Sequence, residues 1–96
     1  MVHALVVTVS IDPSGLDEAA EQLRSQVVPA VKQSPGLVAG YWLAPKQGSG
    51  ALEGYSIVLF DDEGSAQKAQ EMAKQSPLAP GVQFTGFEIR EVIAHT

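Results

Sequence analysis

The chemistry-bearing side chains of this 96-residue chain are few and widely spaced. His3 and His95 are the two histidines, and they lie near opposite ends of the sequence. With Glu91 as a third ligand they could hold a metal, but two imidazoles and one distant carboxylate fall short of a coordination pattern. We therefore expect no metal and no cofactor. Trp42 is the sole tryptophan, with Tyr41 beside it and Tyr55 further on. Aromatic side chains of this kind line apolar ligand pockets, in which a few polar groups orient the ligand. They equally fill cores and interfaces. Glu88 and Arg90 stand two apart, close enough for an ion pair, and Arg90 could anchor a carboxylate. Thr8, Ser10 and Ser56 offer hydroxyls, yet none has a visible base nearby, so nucleophilic catalysis has no support. Gly48 and Gly50 precede a strand-like segment and are not followed by Gly-Lys-Ser/Thr, which excludes a phosphate loop. Asp61-Asp62-Glu63 lacks the alternating oxygen ligands of a calcium loop and suits the start of a helix.

Composition narrows the classes further. Six Lys+Arg against eleven Asp+Glu give a formal charge of −5, and no two basic residues are adjacent. Phosphate backbones are bound by basic patches, so neither nucleic acid nor an anionic membrane is an expected partner. The absence of cysteine excludes disulfides, thiolate metal sites and a cysteine nucleophile. It also favours a reducing compartment, and we expect a cytoplasmic protein. The apolar start MVHALVVTVSID has no basic n-region and no small-residue cleavage motif, so it is not read as a signal peptide. No apolar run reaches the ~20 residues that span a bilayer. Hydrophobic residues make up 45% and charged residues 18% of the chain, against a typical charged share of ~25%. Neutral surface on this scale leans towards self-association.

The elements that must position these residues follow from periodicity. Residues 4–11 alternate as a strand, with Leu5, Val7, Val9 and Ile11 on one face and Val6, Thr8 and Ser10 on the other. Asp12-Pro13-Ser14-Gly15 turns the chain. Leu16, Ala19, Ala20, Leu23, Val27, Ala30 and Val31 then repeat at helical steps. Pro29 should kink that helix or end its regular part, and Ser34-Pro35-Gly36 should stop it. Residues 37–44 and 52–60 read as strands joined by a loop from Pro45 to Ala51. Asp61 or Asp62 opens a second helix running to Gln75, with a thin apolar side of Ala66, Ala69, Met72 and Ala73. The last strand runs from Val82 towards Ala94. Its parity slips between Phe84 and Phe87, which predicts a β-bulge at Gly86.

The order β-α-β-β-α-β with right-handed crossovers predicts one α+β domain over 1–96. Its expected fold is ferredoxin-like, an antiparallel sheet in the order 4-1-3-2 with both helices on one face. Such a sheet alternates apolar and polar residues when its second face is wet. Here Tyr41 alternates with Trp42 and Ile57 with Val58, so both faces need cover. The expectation is a homodimer packed sheet against sheet.

Over nearly its whole length the chain resembles the dimeric α/β-barrel superfamily, and within it the antibiotic-biosynthesis-monooxygenase-like proteins. The resemblance rests on the element order, on Ser34-Pro35-Gly36-Leu37-Val38-Ala39-Gly40-Tyr41, and on Phe60-Asp61-Asp62-Glu63 followed by Ala66 and Ala69. Oxygenases and haem degraders of that superfamily typically carry an Asn in the first strand, a Trp closing the third and a His in the second helix. This chain has Thr8 and Phe60 at roughly the first two places, and residues 64–75 contain no histidine. The resemblance thus implies the fold and a small apolar ligand, with a cofactor-independent monooxygenase-like reaction as one reading. Haem degradation is disfavoured, and no catalytic base can be named. Thr8, Trp42, Tyr55 and Phe60 are the expected ligand-pocket residues, positioning the molecule and excluding water. The alternative is a non-catalytic dimer that binds a metabolite or a partner protein.

Overall fold

The structure is a computed structural model that describes residues 1–47 and 51–96. Its central strand, β1 (His3–Ile11), carries an unbroken Val/Ile/Thr-rich run of the kind that fits a pleated surface. It pairs antiparallel with β3 (Leu52–Phe60) on one side and β4 (Val82–Glu91) on the other. β2 (Leu37–Gln47) adds to β3, giving the order β2-β3-β1-β4. This is the ferredoxin-like sheet expected from the sequence.

Three helical segments cross one face: α1 (Leu16–Gln22), α2 (Val28–Lys32) and α3 (Glu63–Gln75). A π-helical turn, Leu23–Val27, joins α1 to α2, so the chain stays helical from 16 to 32. As expected, the regular α-helix is interrupted ahead of Pro29: α1 ends at Gln22, yet the widened turn keeps the chain helical past the proline. A proline ring crowds the carbonyl four residues earlier, here that of Ser25. The widened turn lies over that carbonyl, and the Ser25 hydroxyl donates to Glu21 O at 2.8 Å. The helix therefore absorbs the proline by loosening one turn instead of breaking.

α3 starts where Asp62 caps it, its carboxylate accepting from Ser65 N at 2.7 Å. The turn before β2 meets the same place. Asp61 N donates to Gly36 O at 2.8 Å, and Gly36 has φ +76°. A Cβ on Gly36 would also lie 2.6 Å from Asp61 Oδ1 and from Ser65 Oγ. Only glycine satisfies both demands. The Pro-Gly turn and the Phe-Asp-Asp segment, remote in sequence, form one junction.

The core lies between the sheet and the helices. Leu5, Val7, Val58, Phe60 and Ala66 form its buried cluster, with Val9, Val31, Leu37, Trp42, Phe84, Phe87 and Ile89 packed around it. Two parity shifts make this possible. In β4, Thr8 pairs with Gly86 while Val9 pairs with Phe84, leaving Thr85 as the extra residue. The bulge anticipated at Gly86 thus puts Phe84 and Phe87 on the same side, their rings 4.7 Å apart. In β2, Leu37 pairs with Phe60 and Ala39 with Leu59, so Val38 is extra. Strict alternation would group Leu37 with Tyr41; the bulge turns Leu37 into the core. A further shift between Leu43 and Lys46 accommodates Pro45 on the edge strand, so β2 runs three residues beyond the expected end. Pro45, Lys46 and Gln47, expected to open a loop running to Ala51, are strand instead, and residues 48–50 lie outside the described residues.

β4 stops at Glu91, short of the expected Ala94. Val92 N donates to Val2 O at 2.8 Å, and β1 then offers no further partner.

The bulge supplies a test. A Cβ on Gly86 would lie 2.7 Å from Thr8 Oγ1. Gly86→Ala is expected to cost about 1–3 kcal/mol in urea unfolding, the range for overpacking. Removing the hydroxyl should relieve most of that cost, so Thr8→Ala and Gly86→Ala should couple strongly in a double-mutant cycle. Additive effects would show that the bulge is not held by this contact.

Candidate functional site

The two faces of the sheet hold two different hollows. On the open face, Thr8 and Tyr55 are direct cross-strand partners. With Val9, Glu53, Gly54 and Thr85 they border a shallow depression of about 210 Å³. Thr85 Oγ1 donates to Thr8 Oγ1 at 3.0 Å, so the bulge brings two hydroxyls together on this face. Around them stand large apolar side chains that nothing among the described residues covers. Tyr41 is 56% exposed, Leu43 52% and Tyr55 47%. At its far edge Arg90 Nε lies 3.1 Å from Glu88 Oε1 in a solvent-exposed ion pair. Exposed pairs of this kind contribute little stability.

The second hollow lies on the helix side, between α2 and β2. Val28, Val31, Lys32, Leu37, Gly40 and Trp42 line a shallow, open cleft of about 230 Å³. Its origin is a difference in side-chain size. α3 presents alanines and its backbone sits close on β1, β3 and β4. The 16–32 helix presents Leu23, Val27, Val28 and Val31 and stands further off the sheet. The Trp42 ring folds back over Gly40, where a Cβ would lie 3.0 Å from Cζ3 and Cη2. Glycine there lets the indole lie low and form the cleft floor.

Of the four residues selected from sequence, Thr8 and Tyr55 come together on the open face. Trp42 lies in the helix-side cleft, on the opposite face of the sheet. Phe60 is 1% exposed at the centre of the core and lines neither hollow. Sequence reasoning did not select Val28, Val31, Lys32, Leu37 or Gly40 as partners of Trp42. The usable signal was the Gly-x-Trp spacing, since residues two apart on a strand share a face.

The histidines do not meet. His3 Nε2 lies 3.4 Å from Glu63 Oε2, and its Nδ1 lies 3.0 Å from Met1 O. His95 follows the end of β4 and is exposed. Among the described residues no three His, Asp or Glu side chains cluster to hold a metal ion. Among the described residues no helix is long and apolar enough to cross a membrane.

Comparison with known proteins places the fold. No protein-family model matches the chain, and no curated protein matches it either. Solved structures do match. A protein of unknown function from Nitrosomonas europaea aligns with a TM-score of 0.64 at 20% identity, covering 99% of this chain and 92% of its own. A dimeric ferredoxin-like protein from an uncultured marine organism gives 0.65 at 12% identity, covering 99% and 98%. The haem degrader MhuD of Mycobacterium tuberculosis, solved with two haems in its active site, gives 0.62 at 16% identity, covering 97% and 98%. At these identities the likeness is one of fold.

Hydrogen bonds from the Ser65 backbone N–H and then its hydroxyl hold the Asp62 carboxyl below the usual carboxylate range. A depressed pKa means stability that is present above the unfolded value and lost as pH falls through the folded one. Asp62→Ala should therefore lower the melting temperature at neutral pH. The gap to the unsubstituted protein should narrow as the pH drops below 4. A gap independent of pH in thermal melts would rule out the charged cap.

Proposed function

We propose that this chain acts as a homodimer, two copies packed open face to open face, each holding a small apolar molecule in the cleft above Trp42. The observation that carries the dimer is the exposed trio Tyr41, Leu43 and Tyr55 on a sheet whose other face is already covered. Apolar patches of this type mark interaction surfaces. A second copy offers a face of matching shape and composition, and burying about 800 Å² per partner is ordinary for a stable interface. The marine ferredoxin-like neighbour is described as dimeric, which supports a dimer. We place the protein in the cytoplasm on its lack of cysteine, and nearest in type to the antibiotic-biosynthesis-monooxygenase-like proteins.

For the ligand, the non-catalytic binding reading fits the cleft best. Its lining is apolar apart from Lys32, and catalysis needs a convergent polar set around the reacting atoms. A haem-sized guest is also poorly matched, since about 230 Å³ lies below the roughly 300–1,000 Å³ of common ligand pockets. The resemblance to the antibiotic-biosynthesis-monooxygenase-like proteins supplies a second reading, a cofactor-independent oxygenation that uses the substrate's own acidity. Its test is dioxygen consumption with any molecule found bound.

Native mass spectrometry of freshly purified protein tests the assembly. The expected mass is that of two chains, and any bound molecule adds to it. Leu43→Lys combined with Tyr55→Lys should yield single chains that keep a folded far-ultraviolet spectrum. A single-chain mass for the unsubstituted protein at micromolar concentration overturns the dimer.

A further inference from the structure

We infer that the cleft between α2 and β2 selects a small apolar molecule bearing one anionic group, an aromatic monocarboxylate in chemical class. The inference rests on the cleft reading above and adds the class of occupant. Five of the six lining residues are Val28, Val31, Leu37, Gly40 and Trp42, and the sixth is Lys32. An indole floor with branched aliphatic walls suits a flat ring system, which stacks on Trp42 and removes apolar surface from water. The volume of about 230 Å³ lies below the roughly 300–1,000 Å³ of drug-sized ligand pockets and points to a small guest.

Lys32 sets the charge. It is exposed at the mouth of the cleft, in the last turn of α2. Among the described residues it makes no ion pair within 4 Å, although the chain carries eleven carboxylate side chains. Its ammonium is therefore available to a guest. No other charged residue lines the cleft, so a carboxylate entering it meets attraction without a counter-charge. A cationic guest would meet the opposite. An anion held by Lys32 leaves the apolar body pointing inwards over Trp42, which fixes orientation as well as sign. The cleft lies at the edge of the sheet beside β2, apart from the centre occupied by Leu5, Val7, Val58 and Phe60. The standing-off of the 16–32 helix, with its widened turn at 23–27, provides the room. Widened turns of this type recur at functional sites.

The experiment uses two matched probes, 2-naphthoate and the neutral 2-naphthalenemethanol, titrated into the full chain. Amide and indole proton–nitrogen spectra report on the single Trp42 indole N–H and on Gly40. Naphthoate should shift both signals and bind at least fivefold more tightly than the alcohol. Lys32→Gln, at an exposed position, should erase that preference by weakening naphthoate to the level of the alcohol. Gly40→Ala, which pushes on the Trp42 ring, should weaken both probes, with spectral dispersion checking that the chain stays folded. Equal affinity for the two probes, or a preference that survives Lys32→Gln, overturns the anionic class while leaving the cleft. No shift at Trp42 or Gly40 with either probe overturns the inference and the cleft reading together.

Discussion

A single layer of two helices covers only one face of a four-stranded sheet, and the rest of this structure answers to that shortage. Side chains alternate across a strand with period two. Every residue therefore commits to the helix side or the open side. The helix side takes Leu5, Val7, Val58 and Phe60 and closes over them with Ala66. The open side keeps Thr8, Tyr41, Leu43 and Tyr55, and in the isolated chain they face water. The hydrophobic cost of that exposure marks the open side as an interaction surface.

Bulges settle which residues fall on which side. The extra Thr85 returns Phe87 and Ile89 to the core after Phe84, and the extra Val38 returns Leu37. Both work by inserting one residue without breaking the pairing on either side. The same device at Thr85 sets its hydroxyl against Thr8 and requires glycine at 86. Packing on one face thus dictates the polar chemistry available on the other.

The two helices differ in the function their packing allows. α3 lies close on its alanines, capped by Asp62 and tied to the turn at Gly36, and it seals the centre. The 16–32 helix stands off on larger side chains and a widened turn, and it leaves a cleft. A chain with alanines on both helices would have no room for a guest. One with large residues on both would leave its centre poorly filled.

Much of the fold was legible in the sequence because its signals are local. The Val/Ile alternation of 4–11, the helical spacing from Leu16 and the turn at Ser34-Pro35-Gly36 each depend on neighbours a few residues away. The parity slip between Phe84 and Phe87 announced its own bulge. Other features depend on partners that no local pattern names. The helix past Pro29 survives because one turn can widen. The bulge at Val38 is invisible in an apolar run where both registers look alike. The site residues divide for the same reason. Thr8 and Tyr55 met because two strands pair in one register, whereas Trp42 went to the other face and joined Val28, Val31 and Lys32 from a distant helix. Alternation can be read along a chain; the distance between a helix and a sheet is decided only when their side chains meet.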